Sequence, residues 1–461
     1  MQNVSVWECR RLVCKTLFSL TSVILTFFII SSCSILKASG KKGQCGDRYV
    51  DGSNNSASDS GPGTKAHPWK SLAAVNAHHF CAGDTVFFAR GSEYRGGFVV
   101  KDSGTADSPI TLTAYGKGSA PSFTNPEFKV LNGNVMQLQG SYIFVDGFYF
   151  HDGAPSGTTE DKDVLAMGDV FIAKGSDHDV VRNCEFKNTP IGIHVCGRHS
   201  LITHNYLHDT NRFLAGDKWG PVAIFVSNGN NEISYNRVKN YIAIGGRFGA
   251  DGGAIELDPR ICGDSIHDLR IDHNYSYGNE GFIESTRASK PTTRVSVGYN
   301  VSDDYQEFIL LWQGTHCMIV NNTVLRVLPK NSVTDVVFSF GQVGNIVRNN
   351  IFVVNHGRKI FSDNGTQVWG FGGHYAGQKH DHNLYFSVDH SQTDPIGLPL
   401  GPGEKISDPH FVDYGKLDLH LRPDSPAIDG GIPVTGYNKD FDGSPVPSGK
   451  APDMGAYEFK H

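Results

Sequence analysis

Apolar and polar residues in the middle of the chain alternate in short runs, and each run recurs beside an asparagine. The recurring phrase is an Asn followed within two residues by an apolar or aromatic side chain. Eight asparagines begin it: Asn183, Asn205, Asn236, Asn274, Asn300, Asn322, Asn350 and Asn383. By subtraction their spacings run from 22 to 38 residues, which is typical of a solenoid with insertions. The runs are rich in Ile, Val and Phe without helical periodicity, so we predict an all-β, single-stranded parallel β-helix.

The asparagines are interpreted as scaffold, because Asn side chains stack along such a rod and Asn tolerates left-handed backbone. They also align the strands that precede them, and side chains alternate between the two faces of a strand. One predicted outward column runs His194, Phe225, Glu256, Glu284, Leu310 and Phe338, and the next runs Cys196, Ser227, Asp258, Thr286, Trp312 and Phe340. Because layers lie about 4.8 Å apart, Glu256 and Glu284 are predicted to be direct neighbours.

Both ends of the solenoid carry segments of different composition. Residues 47–407 are predicted to form the β-helix catalytic domain, including an N-terminal cap with one short helix within 69–80 that covers the open strand edge. Residues 408–461 are predicted to form a C-terminal cap. Both ends resemble those of secreted bacterial β-helix proteins that act on carbohydrates.

The first 33 residues have the pattern of a targeting segment. Three basic residues precede the apolar run 17–30, which is short for a membrane-spanning helix. The run ends in Ile-Ser-Ser-Cys33, which resembles the lipobox of bacterial lipoproteins, so we expect a lipidated (palmitate-bearing) Cys33 followed by a tether over 34–46. The expected location is the bacterial cell envelope, on the outer membrane or facing the periplasm. An ordinary signal peptide or an uncleaved anchor is the alternative.

The net charge and the cysteines restrict which partners and which cellular compartment are expected. The net charge of -6, with no basic cluster, argues against nucleic acid as a partner, whereas a local basic site is enough for an acidic substrate. Cys45 and Cys81 bracket the N-terminal cap and are candidates for a disulfide in an oxidising compartment. Cys184, Cys196, Cys262 and Cys317 are interpreted as buried filler. A monomer is expected.

Three carboxylates meet on the predicted outer face, namely Glu256, Asp258 and Glu284. They repel one another unless a cation, a basic neighbour or a retained proton joins them. A solvated face with salt bridges to arginines is the alternative interpretation. Flanking aromatics and long inserts favour a binding cleft instead. The residues expected to bind substrate are Trp312, Phe225, Lys218 and Arg247.

The segments 251–258 (DGGAIELD) and 281–287 (GFIESTR) resemble right-handed parallel β-helix enzymes of polysaccharide breakdown. Calcium-dependent alginate and dermatan lyases of this fold carry two acidic residues one apart on a strand, an Asn from the preceding coil, and nearby Lys and Arg. The resemblance implies a calcium ion held by Glu256, Asp258 and Asn228, with Arg287 neutralising the substrate carboxylate. The family's Lys has no evident counterpart.

Several residues and three functions stay open at this point. His194, Tyr241 or Arg260 is the candidate base in place of the missing Lys. The first function is β-elimination on a uronic-acid polysaccharide or oligosaccharide, with loss of a sugar or of water. The second is glycoside hydrolysis by paired carboxylates that include Glu284. The third is a carbohydrate-binding surface protein without activity.

Overall fold

Nine successive coils, from Thr85 to Ser339, each contribute one short strand to each of three sheets, in the repeating order sheet 1, sheet 2, sheet 3. Within these sheets each strand pairs in parallel with the equivalent strand of the next coil. Parallel neighbours need a long crossover connection, and here the strands of the other two sheets supply it. The predicted parallel β-helix is confirmed.

This structure, a computed structural model, describes residues 45–154, 164–214, 218–247, 249–260, 262, 265–286, 292–311, 313–328, 336–339, 343–355, 357–361, 379–390 and 394–460. The predicted signal peptide, the lipidation site Cys33 and nearly all of the tether lie outside these residues. Among the described residues, no helix has the length and apolar character needed to span a membrane.

The strands are short, most of them three to five residues. Sheet 1 consists of Arg48–Val50, Thr85–Ala89, Ile110–Tyr115, Ile143–Asp146, Val180–Arg182, Leu201–Thr203, Glu232–Ser234, Arg270–Asp272, Ser296–Gly298, Met318–Val320, Ile346–Arg348 and Lys379–Asp381. Sheet 2 consists of Glu93–Arg95, Ser122–Thr124, Tyr149–His151, Glu185–Lys187, Tyr206–Thr210, Arg237–Tyr241, Tyr275–Tyr277, Val301–Asp303, Thr323–Arg326, Ile351–Val354, Leu384–Ser387 and Lys405–Ile406. Sheet 3 consists of Phe98–Val100, Met136–Leu138, Val170–Ile172, Ile191–Val195, Val222–Val226, Gly253–Leu257, Gly281–Ser285, Ile309–Leu311 and Val337–Ser339.

Four further strands and three short helices complete the described structure. Two antiparallel hairpins pair Ala243–Ile244 with Ala250–Asp251 and Phe411–Asp413 with Asp418–Leu421. The helices are the α-helix Leu72–Ala77 and the 3-10 turns Leu131–Gly133 and Tyr414–Lys416.

The core is a column of branched apolar side chains that repeats from coil to coil. On sheet 3 it runs Ile193, Ile224, Ile255, Ile283, Ile309 and Val337, all nearly inaccessible to solvent. These are the inward positions predicted from the alternation along each strand. Stacking identical shapes at one spacing lets the column fill space without gaps, which is how a solenoid stabilises itself one layer at a time.

A ladder of buried asparagines joins the coils at the corner between sheets 1 and 2. The Oδ1 of Asn236 accepts from the backbone N–H and the Nδ2 of Asn205, at 3.1 Å and 3.0 Å. The same backbone contact repeats up the stack to Asn383. Each rung satisfies buried polar groups, so the scaffold interpretation is confirmed for seven of the eight asparagines.

Asn183 corrects the predicted ladder by one residue. Its φ of +54° places it in the left-handed position that precedes each rung, and its Nδ2 donates to Asp146 Oδ1 at 2.8 Å. The rung position on this coil is Cys184, whose backbone N–H donates to Asn205 Oδ1. Other coils put His, Tyr or Asn in the left-handed position, because a short turn there requires positive φ. In the sequence alone, an Asn in the left-handed position therefore cannot be distinguished from an Asn of the ladder.

The N-terminal cap is confirmed, although its helix spans six residues instead of most of 69–80. The helix begins after Ser71, whose hydroxyl accepts from the Ala73 N–H, and it buries Leu72 and Val75 in the main core. It lies against Phe98–Val100, the edge strand of sheet 3. Covering an edge strand removes an exposed row of backbone donors and acceptors.

The C-terminal segment packs along the side of the stack. Its Phe411, Leu419 and Met454 cover outward side chains of sheet 2, among them Val301 and Ile351. The predicted C-terminal cap, residues 408–461, therefore shields one face of sheet 2.

Candidate active site

Glu256 and Glu284 lie side by side on the outer face of sheet 3. They are register partners on consecutive strands. Glu256 pairs on its other side with Phe225, which pairs in turn with His194. The predicted outward column keeps this register as far as Phe338. Because neighbouring strands lie about 4.8 Å apart, the two carboxyl groups meet with no residue between them.

A pocket of about 230 Å³ opens over this pair. Its floor is sheet 3, and its walls are two inserts that leave the coils immediately before the strands Val222–Val226 and Gly253–Leu257. The lining residues are Lys218, Trp219, Gly220, Val222, Asp251, Gly252, Gly253, Ile255, Glu256, Arg260, Gly281, Glu284, Thr286 and Glu307. Four consecutive coils thus contribute to one pocket.

The two inserts contact each other through glycine. The first closes where Leu214 and Trp219 exchange backbone hydrogen bonds of 2.7 Å and 3.1 Å. The second is the hairpin that ends at Asp251. A side chain at Gly220 would collide with the Asp251 backbone, so only glycine permits this approach. The contact holds Trp219 at the edge of the pocket.

The two paired glutamates hold protons more tightly than ordinary carboxyl groups. Burial raises the pKa of Glu256 well above its usual range, and the nearby Glu284 carboxylate raises it further. The side chain of Glu284 stays exposed at the pocket, and its pKa is also raised, first by desolvation beneath the inserts and then by Glu307 and Asp251. Like charges at this distance cannot both ionise freely. The pair is therefore suited to hold one proton between them, one carboxyl neutral and the other ionised.

Glu307 adds a further carboxyl group to the pocket. Burial raises its pKa to about 7. Its carboxylate occupies the space where a side chain on Gly281 would lie, so the glycine is needed for the pocket to form. Arg326 donates to the Glu307 backbone carbonyl at 2.9 Å and fixes this part of the coil from below.

Arg260 supplies a fixed positive charge at the pocket wall. Its Nε lies 2.7 Å and 3.0 Å from the two oxygens of Asp258, which is fully buried, and its own side chain stays 39% exposed. The guanidinium also lies over the Trp219 ring, 5.1 Å from its centroid. The buried carboxylate and the ring orient the guanidinium, and its exposed part faces the pocket.

A disulfide between Cys196 and Cys262 anchors the loop that carries Arg260, with Cα atoms 5.7 Å apart. The interpretation of these two cysteines as filler is wrong, because the coil-to-loop contact cannot be read from linear spacing. Cys184 and Cys317 are buried and free, as predicted. The predicted Cys45–Cys81 disulfide is confirmed.

Three residues expected in the site are buried away from it. His194 is inaccessible, its ring nitrogens bond to Met167 O and Ser227 Oγ, and burial lowers its pKa to about 4. Phe225 lies in an apolar cluster beneath the first insert. Tyr241 is fully buried. His194 and Phe225 are covered on the lower coils of the outward column, whereas Tyr241 ends a strand of sheet 2 and belongs to the main core.

Tyr241 cannot reach substrate in this arrangement. Its hydroxyl is within 3.0 Å of Thr189 Oγ1 inside the core. A base must come within hydrogen-bond distance of the proton that it removes, so neither this phenol nor the His194 imidazole fits that role.

The residues implied as calcium ligands do not fit a calcium site together. Both oxygens of Asp258 accept from Arg260. The Oδ1 of Asn228 accepts from the Gly229 N–H at 2.9 Å and from Arg198. Calcium takes six to eight oxygen ligands, and of the implied set only Glu256 lines the pocket. The Arg260 guanidinium lies close enough to act against the raised pKa of Glu256.

Four other residues were expected to bind substrate or to neutralise it, and their outcomes differ. Lys218 lines the pocket. Arg247 is exposed on the second insert and does not line the described pocket. Arg287 and Trp312 lie outside the described residues, and their predicted roles stay predictions.

Glu307 was missed in the sequence, and Trp219 and Asp251 were placed only within inserts. The signal that could have found Glu307 is Gly281, the first residue of its strand, where the absence of a side chain makes room for an acid from the next coil. Such a pairing becomes visible only after the coils are set in register.

Comparison with known proteins agrees with this geometry. Residues 72–369, more than half of the chain, match the family of chondroitinase B. No curated protein matches the chain by sequence. The family match supports the predicted lyase over the hydrolase and the inactive binding protein.

Solved structures show the same fold at low identity. A rhamnogalacturonan lyase is 15% identical with a TM-score of 0.53, covering 86% of this chain and 96% of its own. XylC in complex with xylose is 12% identical with a TM-score of 0.54, covering 90% and 99%. The pectate lyase Pel9A is 13% identical with a TM-score of 0.50, covering 91% and 97%. By its family match, the chain belongs to the chondroitinase B family of right-handed β-helix polysaccharide lyases, carbon–oxygen lyases that act on uronic-acid glycans.

Proposed function

We propose that the protein cleaves an acidic polysaccharide by β-elimination in the pocket above Glu256 and Glu284. The observation that carries this proposal is the position of a proton-sharing carboxyl pair beside the fixed guanidinium of Arg260. Elimination needs a positive group, a base and an acid within one site, and this pocket holds all three types.

Arg260 is proposed to neutralise the uronate carboxylate of the substrate. The C5 proton of a uronate is weakly acidic, and its removal places negative charge on the carboxylate. A guanidinium that is already oriented stabilises that charge without reorganising. Asp258 holds Arg260 in place and acts as a positioning residue.

Glu256 and Glu284 are proposed to exchange roles around one proton. The ionised member removes the C5 proton, the C5–H electron pair forms the C4=C5 bond, and the C4–O bond breaks. The neutral member gives its proton to the departing glycosidic oxygen. Protons therefore balance within the pair, and the raised pKa of each carboxyl group makes its ionised form a stronger base.

Lys218 and Trp219 are proposed to hold the sugar rings that flank the bond to be cleaved. Both lie in the first insert and line the pocket. An ammonium group suits a second uronate or a sulfate, and an indole face suits the apolar face of a pyranose. Departure of a sugar is favoured over departure of water, because the matching family consists of polysaccharide lyases.

The test is incubation of the purified chain with separate uronate polymers. Growth of the ultraviolet absorbance of a conjugated, unsaturated uronate, together with a falling polymer size, is the expected result. New reducing ends without that absorbance contradict elimination and indicate hydrolysis. The absorbance without shortening of the polymer indicates loss of water instead of cleavage.

We propose further that the chain is exported and lipid-anchored through Cys33. The two disulfides support an oxidising compartment outside the cytosol. In the expressing bacterium, wild-type protein should partition with the detergent phase, and Cys33→Ser should move it to the aqueous phase. Equal partitioning of both proteins contradicts the anchor.

A further inference from the structure

A second groove lies on sheet 2, away from the pocket on sheet 3. It has a volume of about 730 Å³. One wall is the outer face of sheet 2, and the other is the C-terminal segment, with Leu417 and Tyr457 facing inward. The coils that form this groove are the same coils that carry the proposed catalytic residues on their next strand.

Aromatic and basic side chains alternate across the coils in this groove and at its edge, where Tyr206 lies next to Arg237. Tyr206, Arg237 and Tyr275 are register partners on three consecutive strands. On the neighbouring column Lys239 pairs with Tyr277. All of these side chains point outward, because the residues between them face the core.

Arg237 is held between two rings. Its guanidinium carbon lies 5.6 Å from the Tyr206 centroid and 5.2 Å from the Tyr275 centroid. Lys239 Nζ lies 5.8 Å from the Tyr277 centroid. Neither cation forms a salt bridge with a carboxylate among the described residues. Stacking fixes their positions and leaves their N–H groups available.

Two acidic groups near the groove are hydrogen-bonded to other residues. Glu185 is 3.1 Å from His208 Nε2. The buried Asp304 accepts from Ser276 and Ser302. The one further lysine of the groove, Lys416, pairs with Asp413 at 2.7 Å. No carboxylate is among the described residues that line the groove, so the charge that it presents to a ligand comes from cations such as Arg237 and Lys239.

We propose that this groove is a non-catalytic binding site for an acidic polysaccharide strand. An oriented guanidinium matches a carboxylate or sulfate through paired hydrogen bonds. Tyrosine faces match pyranose rings, and a positive groove on a chain of net charge -6 favours an anionic ligand. The choice of an acidic polysaccharide as the ligand rests on the proposed function. By holding one part of a polymer, the groove raises the local concentration of the rest near the pocket.

The test separates binding from catalysis. Native electrophoresis through gels that contain polygalacturonate, or separately a sulfated uronate–hexosamine polymer, measures binding of the full chain carrying Glu284→Gln. Adding Arg237→Ala and Lys239→Ala should weaken the retardation by about tenfold in apparent Kd. Adding Arg90→Ala and Lys101→Ala removes the same charge from exposed positions on the N-terminal coils and should leave the retardation unchanged.

Each outcome decides the proposal. The proposal is overturned if neither polymer retards the protein. It is also overturned if the two double variants weaken the retardation equally, or if duplex DNA competes for binding as well as the polymers do. In the active enzyme, the groove variant should lower kcat/KM for polymer and not for short oligosaccharides. If no elimination product appears while the Arg237-dependent retardation persists, the proposed function fails and the groove stands.

Discussion

Glu256 and Glu284 are register partners on adjacent coils, and the Glu284 carboxylate raises the pKa of Glu256. The chain places this pair in a pocket with Arg260, which is itself fixed by a buried aspartate. A shared proton next to a fixed positive charge is the arrangement that elimination needs. The same rigid strands that stabilise the rod thus set the spacing of the chemistry.

Replacing Glu284 by Gln should remove most activity without unfolding the rod. The amide keeps the shape of the side chain and cannot transfer the proton, so we expect a loss of about 10² to 10⁴ in kcat. Glu256→Gln should behave alike. Initial rates of product absorbance measure the loss, and Glu127→Gln at an exposed position is the matched control. Rates near wild type in both pocket variants would place the chemistry elsewhere.

Removing the positive charge together with its buried partner should abolish turnover and keep the fold. Arg260→Ala alone leaves Asp258 as an unpaired buried charge, which costs about 3–5 kcal/mol of stability. The double variant Arg260→Ala/Asp258→Asn avoids that cost and isolates the catalytic effect. The exposed pair Arg294 and Asp268, changed in the same way, is the control. A well-folded, fully active Arg260 double variant contradicts the proposed neutralising role.

Glu307 should make stability depend on pH in a defined direction. Its pKa is raised to about 7 by burial, so the folded state keeps a proton that the unfolded state releases near a pKa of about 4.3. The stabilising contribution is complete below that unfolded pKa and is lost as pH rises through about 7. Wild type should therefore lose up to about 4 kcal/mol relative to Glu307→Gln across this window. Thermal unfolding at both ends of the window measures the difference, and parallel curves for the two proteins contradict it.

Chelation should leave the activity intact. The guanidinium of Arg260 already occupies both oxygens of Asp258, and Asn228 is bonded within its coil. Exhaustive treatment with a calcium chelator, followed by assay with and without added calcium, checks this expectation. A loss of rate that added calcium restores shows that a cation, and not the guanidinium, neutralises the substrate.

Asn300→Ala should destabilise the rod far more than Asn183→Gly. The Asn300 carboxamide accepts from the Asn274 N–H and donates to Ile271 O and Asn322 Oδ1. Removing it orphans buried groups, at a cost on the order of 3 kcal/mol. Glycine fits the left-handed backbone of Asn183 and loses one exposed contact. The denaturant concentration at the unfolding midpoint should be lower for Asn300→Ala than for Asn183→Gly. Equal midpoints would contradict the different roles assigned to the two asparagines.

The repeat and the outward column were predictable from sequence because both depend on period alone. Side chains alternate along a strand and coils stack at one spacing, so Glu256 and Glu284 had to be neighbours once the coils were aligned. The Asn183 error marks the limit of that reasoning, since a left-handed turn residue and a ladder residue can be the same amino acid one position apart.

By itself, the sequence determined the solenoid, the inward Ile column and the meeting of two acids, because these follow from local periodicity. Only the tertiary structure decided which outward positions stay open. The inserts fold over His194 and Phe225, Arg260 turns back onto Asp258, and Cys262 reaches Cys196. The C-terminal segment likewise selects which part of sheet 2 remains a groove. These contacts join residues from different coils, and no local pattern specifies where an insert comes to rest.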